Sequence, residues 1–247
     1  MNNIIDQQEG FTKEASREFF RSVYGYMFAA LGISGIIAYM VGAGDQVDIG
    51  GKSLPEFFVK YFITAEGGIA PLFYVVAFAP LGLGLIIQMA YQRLSLALLM
   101  ALYIAYSVLM GLSLSTIFIV YTDAAIASTF FVAAGAFAGM AILGYTTKTD
   151  LTKFGSLLYM VFIGIFIAGI VNVFMKSDMM SFAISVIGVF VFTGLTAYYM
   201  QQLKGISQDS SLSGLDRSKL SLIGGLQLYI LFVNLFLSLL RIMGSRE

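Results

Sequence analysis

The stretch that decides the fold is Leu220–Met243, LSLIGGLQLYILFVNLFLSLLRIM. At 1.5 Å of rise per residue, about 20 apolar residues cross the hydrocarbon core of a bilayer, and this run is long enough. An ordinary lipid-facing span is apolar on every side. Here Gly224, Gln227, Leu231, Asn234, Ser238 and Arg241 follow one another at steps of three or four and fall on one helical face. Polar groups left unpaired in lipid are costly, so that face must meet protein or water. The run is predicted to be a transmembrane helix enclosed by other helices.

Composition supports a bundle of such helices. Of 247 residues, 59% are hydrophobic and 11% charged, and mean hydropathy is +0.88. Soluble domains run at about 45–50% apolar and about 25% charged, which makes a soluble helical bundle a poor second choice. The net charge of zero removes any general electrostatic case for nucleic acid or a strongly anionic partner. The absence of Cys excludes disulfides, thiolate chemistry and Cys-ligated metals. The absence of His excludes imidazole bases, Ser-His-Asp triads and His metal sites. Only oxygen ligands remain for a metal, which limits the choice to hard cations such as calcium or magnesium. No cofactor and no dedicated metal site are expected.

Outward from the last span, a hydrophilic connection, KGISQDSSLSGLDRSK, leads back to a sixth span over about Met179–Leu203. The fifth covers about Phe154–Phe174, beyond the loop KTDLTK, and the fourth about Ala124–Thr146. A tight turn at Thr122-Asp123 separates the fourth from the third, about Leu94–Tyr121. Gly135-x-x-x-Gly139 in the fourth is a small-residue surface whose ordinary use is close helix packing. The second span, about Ile69–Tyr91, carries Pro80 in its interior, where a missing backbone donor should kink the helix. Before it, from Gly42 to about Gly68, lies a polar connection in which PEFFVKYF fits either a short interfacial helix or a hydrated loop. The first span runs from near Phe19 to Val41, after a polar tail over residues 1–18. That tail lacks the layout of a secretory signal peptide, so the first span is expected to stay as an anchor. Seven short-looped spans over 19–247 make one all-α membrane domain.

Lys and Arg are unevenly placed. The tail and the loops on its side hold nine, and the opposite side holds Lys52, Lys60, Lys176, Arg241 and Arg246. The bias predicts a cytoplasmic amino terminus. All fourteen acidic residues lie in tails or connections. Proton-coupled transporters ordinarily keep an ionisable residue inside a span despite a cost of roughly 2.5–3.5 kcal/mol or more, so proton coupling is not expected here. The polar residues within spans are neutral: Gln88, Asn172, Thr193, Thr196, Tyr198, Tyr199, Gln201, Gln227, Tyr229 and Asn234. They suit hydrogen bonding between helices, or the lining of a solute path. No phosphate loop, nucleophile elbow or HExxH helix is visible, and Ser113, Ser115 and Thr116 have no base to activate them. Catalysis is not expected.

Three motifs in order, GLSLSTIFIVYT (Gly111–Thr122), LGYTTKTDLTKFG (Leu143–Gly155) and LYILFVNLFLSLLRIMG (Leu228–Gly244), give a chain that resembles the transmembrane Bax-inhibitor-motif family, most of all its bacterial inner-membrane branch. The resemblance implies seven helices with the last in the centre. It also implies passive calcium leak, protection from stress or cell death and, for some bacterial relatives, association with a membrane-bound ATP-dependent protease. The lipid bilayer, calcium ions and such a protease complex are thus the expected partners.

One departure limits what carries over. The family pattern puts an aspartate after the tyrosine near the end of the sixth helix and another in the seventh, thought to share a proton and gate the pore with pH. The matching residues here are Tyr199, within Tyr198-Tyr199-Met200-Gln201, and Leu231, within Leu228–Asn234. Close carboxylates can titrate near neutrality, whereas a phenol with a reference pKa of about 10 and a leucine cannot. Tyr199, Leu231, Gln227, Asn234, Gln201 and Tyr198 are therefore the candidate gate and pore positions of a leak channel without the acid gate. The rival expectation is a non-conducting membrane module that modulates membrane-protein turnover through partners.

Overall fold

The computed structural model describes residues 2–49, 52–64 and 68–245, with side chains from Lys13 onward apart from Ile49, Lys52 and Ser53. Glu66, Arg246 and Glu247, assigned above to loops and a tail, lie outside the described residues, as do the side chains of Asp6 and Glu9. The elements in order are α1 (Asn2–Gly42), β1 (Gln46–Ile49), β2 (Lys52–Pro55), α2 (Glu56–Phe62), α3 (Pro71–Ala90), α4 (Leu96–Leu114), α5 (Ile117–Val120), α6 (Asp123–Thr146), α7 (Thr152–Met175), α8 (Asp178–Gln208) and α9 (Gly214–Met243). Among the described residues, seven segments are long and apolar enough to span a membrane: α1 from Lys13 onward, α3, α4 with α5, α6, α7, α8 and α9. The predicted all-α seven-span architecture is the observed one.

Two boundaries differ from the sequence reading. Helix α1 begins at Asn2 and runs without a break into the spanning segment Lys13–Gly42, so the helix starts well before the first span. The third span breaks after Leu114, where Ser115 Oγ donates to Leu112 O (2.6 Å) and Thr116 Oγ1 to Ser113 O (2.9 Å). Hydroxyls that bond nearby carbonyls compete with the backbone ladder. The chain restarts as the single turn α5. In the first connection, β1 and β2 pair antiparallel, and of PEFFVKYF all but Pro55 forms the helix α2. Phe62 is buried beneath it, edge-on to Phe73 of α3.

Helix α9 occupies the centre. Within its spanning window 72% of residues are buried, against 0% for α7 at the periphery. It packs on α8, α1, α6 and α4. Lipid tails are as apolar as leucine, so close packing rather than water exclusion holds such helices together. Glycine supplies the closeness at Gly225, where a Cβ would stand 2.7 Å from Tyr26 Cβ and 2.8 Å from the Val23 carbonyl of α1. The Gly135/Gly139 pair does not serve this purpose. Both residues are exposed, and a Cβ at either would meet nothing within 4 Å. The close approach of α6 is instead at Gly144, where a Cβ would overlap the backbone of Ala197 in α8.

Pro80 is buried within α3, which continues through it. Lacking an N–H, it leaves the Val76 carbonyl without its helical donor. Ser113 Oγ of α4 donates to that carbonyl at 2.8 Å. This hydroxyl repairs the proline's defect and ties α3 to α4. Ser113→Ala should therefore lower stability by about 1–2 kcal/mol in a micelle unfolding titration. An unchanged midpoint would show that Val76 O finds another donor.

Candidate functional site

The polar stripe of α9 divides at Leu231. On the side nearer the carboxyl terminus, Asn234 Nδ2 donates to Ile230 O and Ser238 Oγ to Asn234 O, both at 2.8 Å. Each bond runs back one turn along α9, so neither residue is used to hold another helix. Asn234, Ser238 and Arg241 line a cleft of about 280 Å³ whose other walls are Phe78 of α3, Phe162 of α7 and Phe192 of α8. The cleft's lining along α9 ends at Asn234. Leu231, about one turn or 4.5 Å deeper, is 3% exposed.

On the far side of Leu231 lies Gln227, buried, beside the Tyr159 hydroxyl of α7. Its Oε1 has no hydrogen-bond partner. Tyr229, fully buried, places its hydroxyl near Ser34 of α1 without making a hydrogen bond of normal geometry. Among the described residues these are the two buried side-chain atoms without a partner. A buried polar group left so costs about 1–3 kcal/mol, which makes such atoms unusual in a native core.

The remaining candidates gather at the amino-terminal end of α9. Tyr199 of α8 is half-buried, and its phenol neighbours those of Tyr159, Tyr91 and Tyr198. Tyr198 is buried, accepts from Gln202 Nε2, and presses its ring so closely on Gly155 of α7 that a Cβ there would overlap it. Gln201 does not join them. Its Oε1 accepts from Leu151 N (2.9 Å) and its Nε2 donates to Thr149 O (2.8 Å), so it latches the α6–α7 connection to α8. The structure thus brings Tyr198, Tyr199 and Gln227 to one level, with Leu231 and Asn234 above it, and turns Gln201 outward.

Every carboxylate whose side chain is described is exposed, and none stands among these residues. Among the described residues no three acidic groups come together as a metal site. Asp150 and Asp209 sit in connections, where the Thr152 and Ser211 hydroxyls and then their backbone N–H groups hold each carboxyl below its usual range. The sequence reading missed Tyr103, Tyr106 and Tyr159 around the stripe. Tyr103 donates to Tyr26 O at 2.7 Å and Tyr106 stacks edge-on against Tyr229. Their signal was present as hydroxyls in otherwise apolar spans.

Seven spanning helices, with a polar-striped terminal helix at their centre, define a multi-pass α-helical membrane protein. A family model described as "Inhibitor of apoptosis-promoting Bax1" matches residues 16–247. The chain is 40% identical over 222 residues to the inner membrane protein YbhL of Escherichia coli, covering 87% of this chain and 94% of the relative. It is 41% identical over 237 residues to an uncharacterized protein of Caulobacter vibrioides, covering 94% and 90% respectively. A protein of Borreliella burgdorferi is 37% identical over 234 residues, with 93% of each chain covered. This chain belongs to the Bax inhibitor family.

Proposed function

We propose that the protein is a multi-pass inner-membrane cation leak, its path running along α9 and closed by neutral side chains in place of a carboxylate pair. The inner membrane follows from the likeness to YbhL, and the cytoplasmic amino terminus from the placement of Lys and Arg. Calcium is the ion the family resemblance implies, and oxygen is the ligand it takes. The observation that carries this reading is the unpaired Gln227 Oε1 beyond the end of the Asn234 cleft, with Leu231 between the two polar stations. Leu231 is the plug, and the Tyr198–Tyr199–Tyr159 cluster closes the opposite end.

Shortening the plug tests this. In proteoliposomes with a trapped calcium dye, Leu231→Ala should raise calcium entry several-fold, and Leu231→Phe should leave it at or below the wild-type rate. Equal entry in all three would remove Leu231 from the path. One feature favours the second reading, a non-conducting module acting through partners: Arg241 places a cation at the mouth of the cleft. If Arg241→Gln and Leu231→Ala together admit no calcium, that reading gains, and cross-linking from intact membranes should then recover a partner such as a protease complex.

A further inference from the structure

At the amino-terminal end of the bundle, α1 and α6 both pack on α8 and α9 but not substantially on each other. Between them stands a groove of about 820 Å³. One of its walls is a single stripe of α1, Lys13, Arg17, Phe20 and Tyr24, at steps of four, three and four. The stripe passes from two cations to two aromatics over about 16 Å of helix. The facing wall, Ala141, Ile142, Tyr145 and Thr146 of α6, is open to the surroundings, with Ile142 65% exposed, and Met200 of α8 forms the back.

The groove is held open by its own contacts. Ser16 Oγ and Ser207 Oγ, 2.7 Å apart and buried, pin α1 to α8. Phe20 meets Tyr145 edge-on at 5.3 Å. Lys204, on the same face of α8 as Met200 and Gln208, donates to Tyr145 O at 2.8 Å and brings a third cation to this end. Among the described residues, Glu14 is the one carboxylate in the lining, and neither Lys13 nor Arg17 has an ion-pair partner.

We propose that this groove binds an anionic phospholipid, its phosphate and acidic headgroup against Lys13 and Arg17 and its upper acyl chains along Phe20, Tyr24 and Ile142. Cations at headgroup depth above an aromatic and aliphatic trough match an amphiphile in both charge and polarity order. A water-soluble anion would satisfy the cations alone and leave the trough unused.

Native mass spectrometry of the full chain, purified in detergent and supplied with phosphatidylglycerol or phosphatidylcholine, tests this. Phosphatidylglycerol should be retained in preference. Lys13→Glu with Arg17→Glu should cut that retention roughly tenfold and leave phosphatidylcholine unaffected. Lys148→Glu with Lys153→Glu, the same charge change at the same end outside the groove, should not. Ile142→Trp, which fills the trough from an exposed position, should lower retention while the thermal midpoint in phosphatidylcholine stays level. Equal retention of both lipids, or equal loss in the two charge-reversed variants, would overturn the site in favour of bulk surface potential. Displacement by inorganic phosphate would reduce it to an anion site.

Discussion

Gly144→Ala is expected to disrupt the bundle, at or beyond the upper end of the roughly 1–3 kcal/mol that overpacking costs. The added methyl would overlap the backbone of Ala197, which cannot rotate aside as a side chain tip can. Helix α6 must therefore move away from α8, and α8 carries Tyr198 and Tyr199. The matched control is Gly135→Ala on the same helix, where a Cβ meets nothing within 4 Å. That change should be neutral or stabilising, since glycine in a helix interior is disfavoured relative to alanine by about 1 kcal/mol. Unfolding in mixed micelles compares the two. Equal midpoints would contradict the close approach of α6 and α8 at Gly144.

Tyr199→Asp together with Leu231→Asp should convert a flux indifferent to pH into one that responds to it. Two carboxylates on the adjoining helices α8 and α9 would raise one another's pKa toward neutrality. The single change Leu231→Asp separates the cost from the gating. A charge at that buried position costs roughly 2.5–3.5 kcal/mol or more, so the acid stays protonated well above its unfolded pKa of about 3.9. With the folded pKa raised, stability is fully present below the unfolded pKa and is lost as pH rises through the folded value. The single variant should thus unfold more readily at pH 8 than at pH 5, and wild type should show no such slope from this position. A double variant whose flux stays level with pH would show that these two positions do not control the path.

The seven spans and the central place of α9 were legible because their signals are local: length, hydropathy and a stripe at helical spacing. What stayed hidden depends on partners distant in sequence. Gly135-x-x-x-Gly139 has the spacing of a packing motif, yet only the arrangement of neighbours shows that it faces outward and that Gly144 and Gly225 make the close approaches. Ser113 looked idle in sequence because its partner, Val76 O, lies on another helix and matters only through Pro80. Gln201 shared a segment with Tyr198 and Tyr199, but its neighbours across the bundle turn it into a latch for residues 149 and 151. Of the candidate stripe, Gln227, Leu231 and Asn234 were placed on one face by spacing alone. Their division into a cleft-lining asparagine, a buried leucine and a buried orphan required the surrounding helices.

The most direct test is calcium flux through the wild-type protein in proteoliposomes as pH is stepped between about 6 and 8, the range over which a coupled acid pair or a histidine would change charge. With every described carboxylate exposed and no histidine in the chain, the rate should stay level across that range. A rate that switches steeply within it would contradict a path closed by Leu231 and Tyr199.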